Sequence, residues 1–193
     1  MADGDATRRR ARRKPKPLDP VRLKDLALHY VARFATSSGK LEAYLRRKLR
    51  ERGWEGETGP DIDGLVADFV ANRYVDDQAY GRMKASGLLS RGYGARRVEQ
   101  TLRADGLDED VRAANIPEEV DKREALLAYV RRRRFGPFRV PPTDESPEMA
   151  HKTREKQLAA ILRAGHSFDH ARQAVEARSE ADLEEWVAEA RLS

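Results

Sequence analysis

The sequence predicts an all-α protein made of three tandem three-helix repeats, each similar in plan to a helix-turn-helix module. One unit occurs three times: a basic amphipathic stretch ends on an apolar residue, and a glycine follows four positions later. The three pairs are Leu49 with Gly53, Leu102 with Gly106, and Ile161 with Gly165. The glycines lie 53 and 59 positions apart, which suits a supersecondary unit of several helices. Repeats of this size stack and bury a continuous core between neighbours.

The composition also favours small modules over one thick core. Among 193 residues, 37% are charged and only 39% are hydrophobic, which is lean for a single large core. The absence of cysteine excludes disulfides and thiolate metal sites, and it agrees with a reducing cytosol. No apolar run approaches the roughly 20 residues of a membrane span, and no signal peptide is evident. We therefore expect a cytoplasmic protein without a membrane partner.

Residues 1–17 are expected to form a disordered basic arm. They contain seven Lys or Arg against two Asp, a balance equal to the formal net charge of +5 of the whole chain. Such a segment cannot bury enough apolar surface to offset its ordering entropy. It is either a solubilising arm or an arm that binds nucleic-acid phosphates. The arginines that would bind phosphate are Arg8, Arg9, Arg10, Arg12 and Arg13.

The first repeat is expected over residues 18–75. Its first helix starts near Pro20, and its apolar face consists of Leu23, Leu26, Ala27, Tyr30, Val31 and Phe34. Ser38 is the predicted cap of a second helix, which ends at Gly53 in the left-handed C′ position. Asp61 or Asp63 caps a third helix. The apolar face of this third helix consists of Ile62, Leu65, Val66, Phe69 and Val70.

The second repeat, residues 76–116, is a shorter version of the same plan. Asp76 and Asp77 begin a helix that carries Tyr80 and Met83. Glycines then break the chain before a basic helix and a brief third helix near residues 108–114. The inward face of the basic helix consists of Ala95, Val98 and Leu102.

The third repeat, residues 117–178, contains an interruption. Residues 136–149 hold four prolines, which forbid a continuous helix or a central strand. We expect a mobile insertion there, outside the stacked core. Helix formation resumes around Pro147, and Ser167 caps the next helix, with Phe168 on its apolar face. Residues 179–193 are expected to form a C-terminal helix that covers the array.

Charge follows the repeats, because each basic helix is followed by an acidic stretch. A single charged run is usually a solvated face. Three runs in the same order favour a basic stripe along stacked modules. The four consecutive arginines at 131–134 could contribute, although they wrap around a helix and some must point elsewhere. Tyr93 is the best candidate for an aromatic ring that stacks on a base, or else it fills a turn.

The sequence predicts no catalytic residue, metal, cofactor or small-molecule substrate. His166 and His170 lie one helical turn apart but lack an evident third ligand; we expect His166 in a turn and His170 exposed. The pairs Asp61 with Asp63 and Asp76 with Asp77 precede apolar periodic runs, which favours helix capping over catalysis. No phosphate-binding glycine motif or nucleophile elbow is present.

Three segments together carry a recognisable pattern. They are residues 75–110 (VDDQAYGRMKASGLLSRGYGARRVEQTLRADGLDED), SSGKLEAYLRRKLRERGW and LRAGHSFDHARQAV. The first resembles the central signature of the RecX family, bacterial regulatory proteins that bind RecA. The second resembles the first repeat of that family, and the third resembles its third repeat. The resemblance covers roughly residues 23–177. Each segment alone is weak, but three in the right order and spacing are specific.

This resemblance implies an elongated, curved array that lies in the helical groove of the RecA filament on single-stranded DNA. There it would block filament extension and reduce ATP hydrolysis and recombination. From charge and spacing, the residues expected to contact RecA or DNA phosphates are Arg46, Arg47, Lys48, Arg50, Arg96, Arg97, Arg103, Lys152, Arg154 and Lys156. The alternatives are a helical protein that binds DNA directly through its modules and arm, and an interaction module whose charges only maintain solubility.

Overall fold

The computed structural model describes residues 16–192, and in this range the chain is almost wholly helical. Ten α-helices follow one another: α1 (Pro20–Arg33), α2 (Ser38–Arg52), α3 (Ile62–Ala71), α4 (Asp77–Leu89), α5 (Ala95–Ala104), α6 (Glu109–Ala113), α7 (Glu119–Arg133), α8 (Pro147–Arg163), α9 (Phe168–Glu176) and α10 (Glu180–Glu189). β pairing between residues 16 and 192 is confined to one bridge, between Leu18 and Trp54. The predicted all-α class is confirmed. The predicted arm, with Arg8, Arg9, Arg10, Arg12 and Arg13, lies outside the described residues apart from its last two.

The first three helices pack around one apolar core. Its fully buried members include Leu18, Leu41, Leu45 and Phe69. Asp19 caps α1 by accepting a hydrogen bond from the Arg22 amide at 2.7 Å. Burial of these large side chains supplies most of the stabilisation that such short helices need.

Two details of this first group differ from the predictions. Ser37, not Ser38, caps α2, because the Ser38 amide and hydroxyl instead donate to the carboxylate of Asp77 at the start of α4. Phe34, predicted to be buried, is 53% exposed. It lies past the end of α1 in extended backbone, so the helical spacing no longer directs its ring inward.

Two further cores follow along the chain. Helices α4, α5 and α6 surround Tyr80, Leu88, Val98, Leu102 and Leu107. Helices α7 to α10 surround a core that includes Leu126, Val130, Ile161, Ala174 and Leu183. The predicted capping roles of Asp61, Asp76 and Ser167 are confirmed. Phe168, expected on an apolar face, is 53% exposed because it lies at the first position of α9.

The proline-rich segment 136–149 does not lie wholly outside the core. Gly136–Phe138 forms a 3₁₀ turn, and Phe138 packs against the third core. The Gly136 amide donates a hydrogen bond at 3.0 Å to the side-chain oxygen of Gln157, which is buried. The expectation of an insertion beyond the core is therefore wrong for its first residues, and its last residues already belong to α8.

The three basic helices α2, α5 and α8 meet at their ends. At the α8–α5 joint, the Gly94 amide donates to the Ala164 carbonyl at 3.0 Å and the Arg96 amide donates to the Gly165 carbonyl at 3.1 Å. At the α5–α2 joint, the Ser37 hydroxyl donates to the Asp105 carbonyl. At the α8–α5 joint, free amides at the start of α5 thus meet free carbonyls at the end of α8, which satisfies both. At the α5–α2 joint, a side-chain hydroxyl is the donor.

Glycines make both joints possible. Gly106 and Gly165 follow α5 and α8 with φ values of 74° and 97°, which other residues rarely adopt. Gly94 at the start of α5 faces Gly165, and Gly39 at the start of α2 faces Gly106. Neither Gly94 nor Gly39 has space for a side chain. A Cβ on Gly94 would lie 2.4 Å from the Gly165 carbonyl carbon, and a Cβ on Gly39 would lie 2.6 Å from the Gly106 Cα. The recurring glycine in the sequence therefore ends a helix and, in two of three cases, also contacts the start of another basic helix.

Side chains reinforce the α5–α2 joint. The carboxylate of Asp105 accepts hydrogen bonds from the Tyr80 hydroxyl at 2.7 Å and from the Lys40 ammonium at 3.0 Å. The Lys84 ammonium lies 3.6 Å from the same carboxylate. Burial opposes the charged form, but the hydrogen bonds from Tyr80 and Lys40 outweigh it and lower the pKa of Asp105. The ionised carboxylate thus connects the first and second helix groups.

Candidate partner-binding surface

Within the predicted stripe, the charges on α2 are mostly neutralised by neighbours. Arg46 contacts Glu42 at 2.6 Å and Asp63 at 2.9 Å, whereas Arg47 and Lys48 both contact Glu51. The hydrogen bond from Lys48 lowers the pKa of Glu51, so this cluster stays ionised. The Arg50 guanidinium, in contrast, has no carboxylate within 4.0 Å among residues 16–192.

The same division holds on α5 and α8. Arg103 pairs with Glu99 at 2.9 Å, and Lys152 pairs with Glu148 at 2.7 Å. Each of these pairs is spaced i, i+4 on its own helix, where exposed ion pairs are weak. In the described part of the chain, no carboxylate lies within 4.0 Å of the other predicted cations on these helices, which are Arg96, Arg97, Arg154 and Lys156.

The structure also brings together five exposed arginines that the sequence prediction had only partly identified. They surround Tyr93 and Tyr129 near the α8–α5 joint, and they are Arg91, Arg97, Arg132, Arg133 and Arg163. Three of them line a depression of about 320 Å³ together with both tyrosines. We call these seven residues the arginine pocket.

The positive charge of the arginine pocket is not neutralised by nearby carboxylates of the described residues. None of its five guanidinium groups has a carboxylate within 4.0 Å in the described residues. The guanidinium carbons of Arg91 and Arg97 each lie 5.9 Å from the centre of the Tyr93 ring. Arg131 points away and pairs with Glu184, which confirms that the 131–134 run is divided between directions. Arg91 and Arg163 were missed because they are far apart in the sequence and lie near the same residue, Tyr93, only in the folded chain.

His166 lies in the turn region between α8 and α9, as predicted, whereas His170 is less exposed than predicted. His166 is 2% exposed, and its Nε2 forms a 3.0 Å hydrogen bond with the Gly92 carbonyl across the α8–α5 joint. His170, expected to be exposed, has a side chain only 16% accessible and lies 2.9 Å from Glu119. The ring of His170 packs edge-on against Trp186, whose helix α10 covers it. Over residues 16–192, no group of three acidic or histidine side chains is placed to hold a metal ion.

His166 makes the α8–α5 joint sensitive to acid. Burial lowers the pKa of its imidazole below the usual 6.5, with the hydrogen bond to Gly92 opposing this. As pH falls, the unfolded chain therefore takes up a proton on His166 before the folded chain does. The contribution of the neutral His166 to the free energy of unfolding is full above about pH 6.5 and is lost as pH falls towards the lowered pKa.

We expect a His166→Gln variant to lose less stability than the parent chain between about pH 7.5 and about pH 5.5, because glutamine does not titrate. Urea denaturation at each pH measures this difference. A His151→Gln variant is the control, because that side chain is 68% exposed and its loss should change stability by less than about 0.5 kcal/mol at either pH. Equal pH dependence in the parent and the His166→Gln variant would contradict the prediction.

Comparison with known proteins finds several relatives, and all of those described below have the same name. A "Regulatory protein RecX" of Myxococcus xanthus is 32% identical over 180 residues, 89% of this chain and 94% of that protein. A protein of that name from Thermus thermophilus is 34% identical over 108 residues, 56% of this chain and 71% of its own. That from Agrobacterium fabrum is 26% identical over 148 residues, 74% of this chain and 76% of its own. No family model matches the chain. None of the helices between residues 16 and 192 is long and apolar enough to cross a membrane.

Proposed function

This chain belongs to the RecX family of regulatory proteins, and from that membership we propose that it is a negative regulator of RecA. It binds the groove of the RecA filament on single-stranded DNA and inhibits filament extension, ATP hydrolysis and recombination. It acts in the cytoplasm by binding RecA and DNA phosphates, and it catalyses no reaction.

The observation that supports this proposal most strongly is the end-to-end contact of the three basic helices. Five of the predicted contact residues have no carboxylate within 4.0 Å among residues 16–192, and the two joints connect the three helices on which they lie. These cations are Arg50, Arg96, Arg97, Arg154 and Lys156. A filament offers the same weak contact repeatedly, and linked binding elements gain affinity through effective concentration.

We also propose that the three helix groups are tandem repeats in a curved, elongated array, over residues 18–75, 76–116 and 117–178. Each group has its own small apolar core. The second and third groups connect to their neighbours through glycine contacts between basic helices. This organisation suits an extended partner better than a compact ligand.

The experiment is a titration of the single-stranded-DNA-dependent ATPase of the cognate RecA. Arg50, Arg96, Arg154 and Lys156 are changed to alanine together, because these exposed cations have no carboxylate within 4.0 Å in the described chain. The control replaces Arg46, Arg47, Arg103 and Lys152, which removes the same charge from cations that already have partners. We expect half-inhibition to require at least about tenfold more of the first variant than of the parent chain. The amount of the control variant should lie within about threefold of the parent amount.

The result can contradict the proposal in two ways. If the parent chain does not inhibit the ATPase at amounts below those of RecA, the proposed function is wrong. If both variants lose the same inhibition, net charge alone is responsible and the joined helices are not the binding surface.

A further inference from the structure

The arginine pocket is built from both sides of the α8–α5 joint. Tyr93, Arg91 and Arg97 come from the second helix group, whereas Tyr129, Arg132, Arg133 and Arg163 come from the third. Tyr93 packs against both the second and the third core. A ligand in this pocket would therefore contact both groups at once.

Among the described residues, no carboxylate lies near the five exposed guanidinium groups, so they repel one another and create a positive potential around the depression. An anion that enters would relieve this repulsion. Guanidinium groups match phosphate oxygens with paired donors, which a lysine cannot do. The volume of about 320 Å³ lies at the lower end of the range for small-ligand sites, so the pocket fits one nucleotide-sized group.

The ring of Tyr93 indicates which class of anionic ligand fits the arginine pocket. Tyr93 is only partly buried, and an aromatic ring beside arginines is the usual platform for an unstacked base. In a duplex the base faces are already occupied by stacking. An acidic protein segment would use the guanidinium groups but would gain nothing from the ring.

We propose that the arginine pocket binds single-stranded nucleic acid, with a phosphodiester on Arg132, Arg133 and Arg163 and a base against Tyr93. This inference deepens the proposed function by giving the DNA contact a location outside most of the predicted stripe. It does not require RecA for binding. Occupancy would also connect the second and third helix groups through one ligand.

The test measures binding of a fluorescent oligothymidine of about 20 nucleotides to the full chain without RecA, by anisotropy at several salt concentrations. The pocket variant is Arg132→Ala with Arg163→Ala. The matched control is Lys24→Ala with Arg178→Ala, which removes the same charge at exposed positions outside the pocket. We expect at least about fivefold weaker binding for the pocket variant and a salt slope smaller by about 0.7, the loss of one phosphate contact.

A second measurement is independent of the basic arm. An oligonucleotide with 5-iodouracil should crosslink on irradiation to the peptide that contains Tyr93, and Tyr93→Leu should abolish that crosslink while preserving apolar bulk. The proposal is overturned if the pocket and control variants lose equal affinity, if the crosslink maps elsewhere, or if a polyglutamate peptide displaces the oligonucleotide from the pocket. If RecA inhibition persists in the pocket variant while oligonucleotide binding does not differ from the control, this inference alone fails.

Discussion

A Gly94→Ala variant is expected to have a free energy of unfolding about 3 kcal/mol below that of the parent chain, the upper range for overpacking. The backbone of Gly94 has φ of −82°, so alanine can adopt it without strain. The cost is steric, because the new Cβ would lie 2.4 Å from both the carbon and the oxygen of the Gly165 carbonyl. Relief requires the helices to separate, which breaks the hydrogen bonds from Gly94 and Arg96 to the end of α8.

Urea denaturation followed by circular dichroism measures this loss. The matched control is Gly87→Ala inside α4, where a Cβ would meet nothing within 4 Å. There the same substitution should stabilise the chain by up to about 1 kcal/mol, the helix preference of alanine over glycine. If the two variants change stability in the same direction, the close contact at the α8–α5 joint does not exist as described.

An Asp105→Ala variant is expected to lose about 2 kcal/mol at neutral pH, because the Tyr80 hydroxyl loses its acceptor and two ammonium groups lose their counterion. The partial exposure of Lys40 and Lys84 keeps this cost below that of a fully buried ion pair. Burial and the hydrogen bond to Asp105 raise the pKa of Tyr80, so the hydroxyl remains a donor throughout.

The pH dependence of this loss has a definite sign. Because the pKa of Asp105 is lowered in the folded chain, its contribution is full above the unfolded value of about 3.9 and is lost as pH falls through the lowered value. The difference between Asp105→Ala and the parent chain should therefore shrink below about pH 4. Tyr80→Phe, which removes one hydrogen bond, should cost about 1 kcal/mol. A variant as stable as the parent at neutral pH would show that Asp105 does not hold the joint.

Features set by neighbours in sequence were predictable. Helix starts at Asp61 and Asp76 follow from the hydrogen bonds that a short side chain makes three residues on. Ser37 was missed in favour of Ser38 because both are good caps, and the contact with Asp77 decides between them. Phe34 was misplaced because helical spacing says nothing about where the helix ends.

The candidate surface shows the same limit. The i, i+4 spacing of Glu99 and Arg103 predicts their ion pair. The same spacing rule could have distinguished cations that are paired within their own helix from cations that are free to bind a partner. In contrast, Arg91 and Arg163 are far apart in the chain and both lie near Tyr93 only because α8 ends where α5 begins. Nothing local in either segment predicts that arrangement.

The contacts at the joints also have a consequence for copies of this protein. A second copy could lengthen the row of basic helices only at the start of α8 or at the end of α2. At the end of α2, the Gly53 carbonyl already accepts a hydrogen bond from the Leu18 amide at 3.0 Å. Gly53 corresponds in the sequence to Gly165, whose carbonyl accepts the Arg96 amide at the α8–α5 joint. The carbonyl that a second copy would use is therefore occupied by the chain's own backbone, which disfavours end-to-end association of copies through this contact.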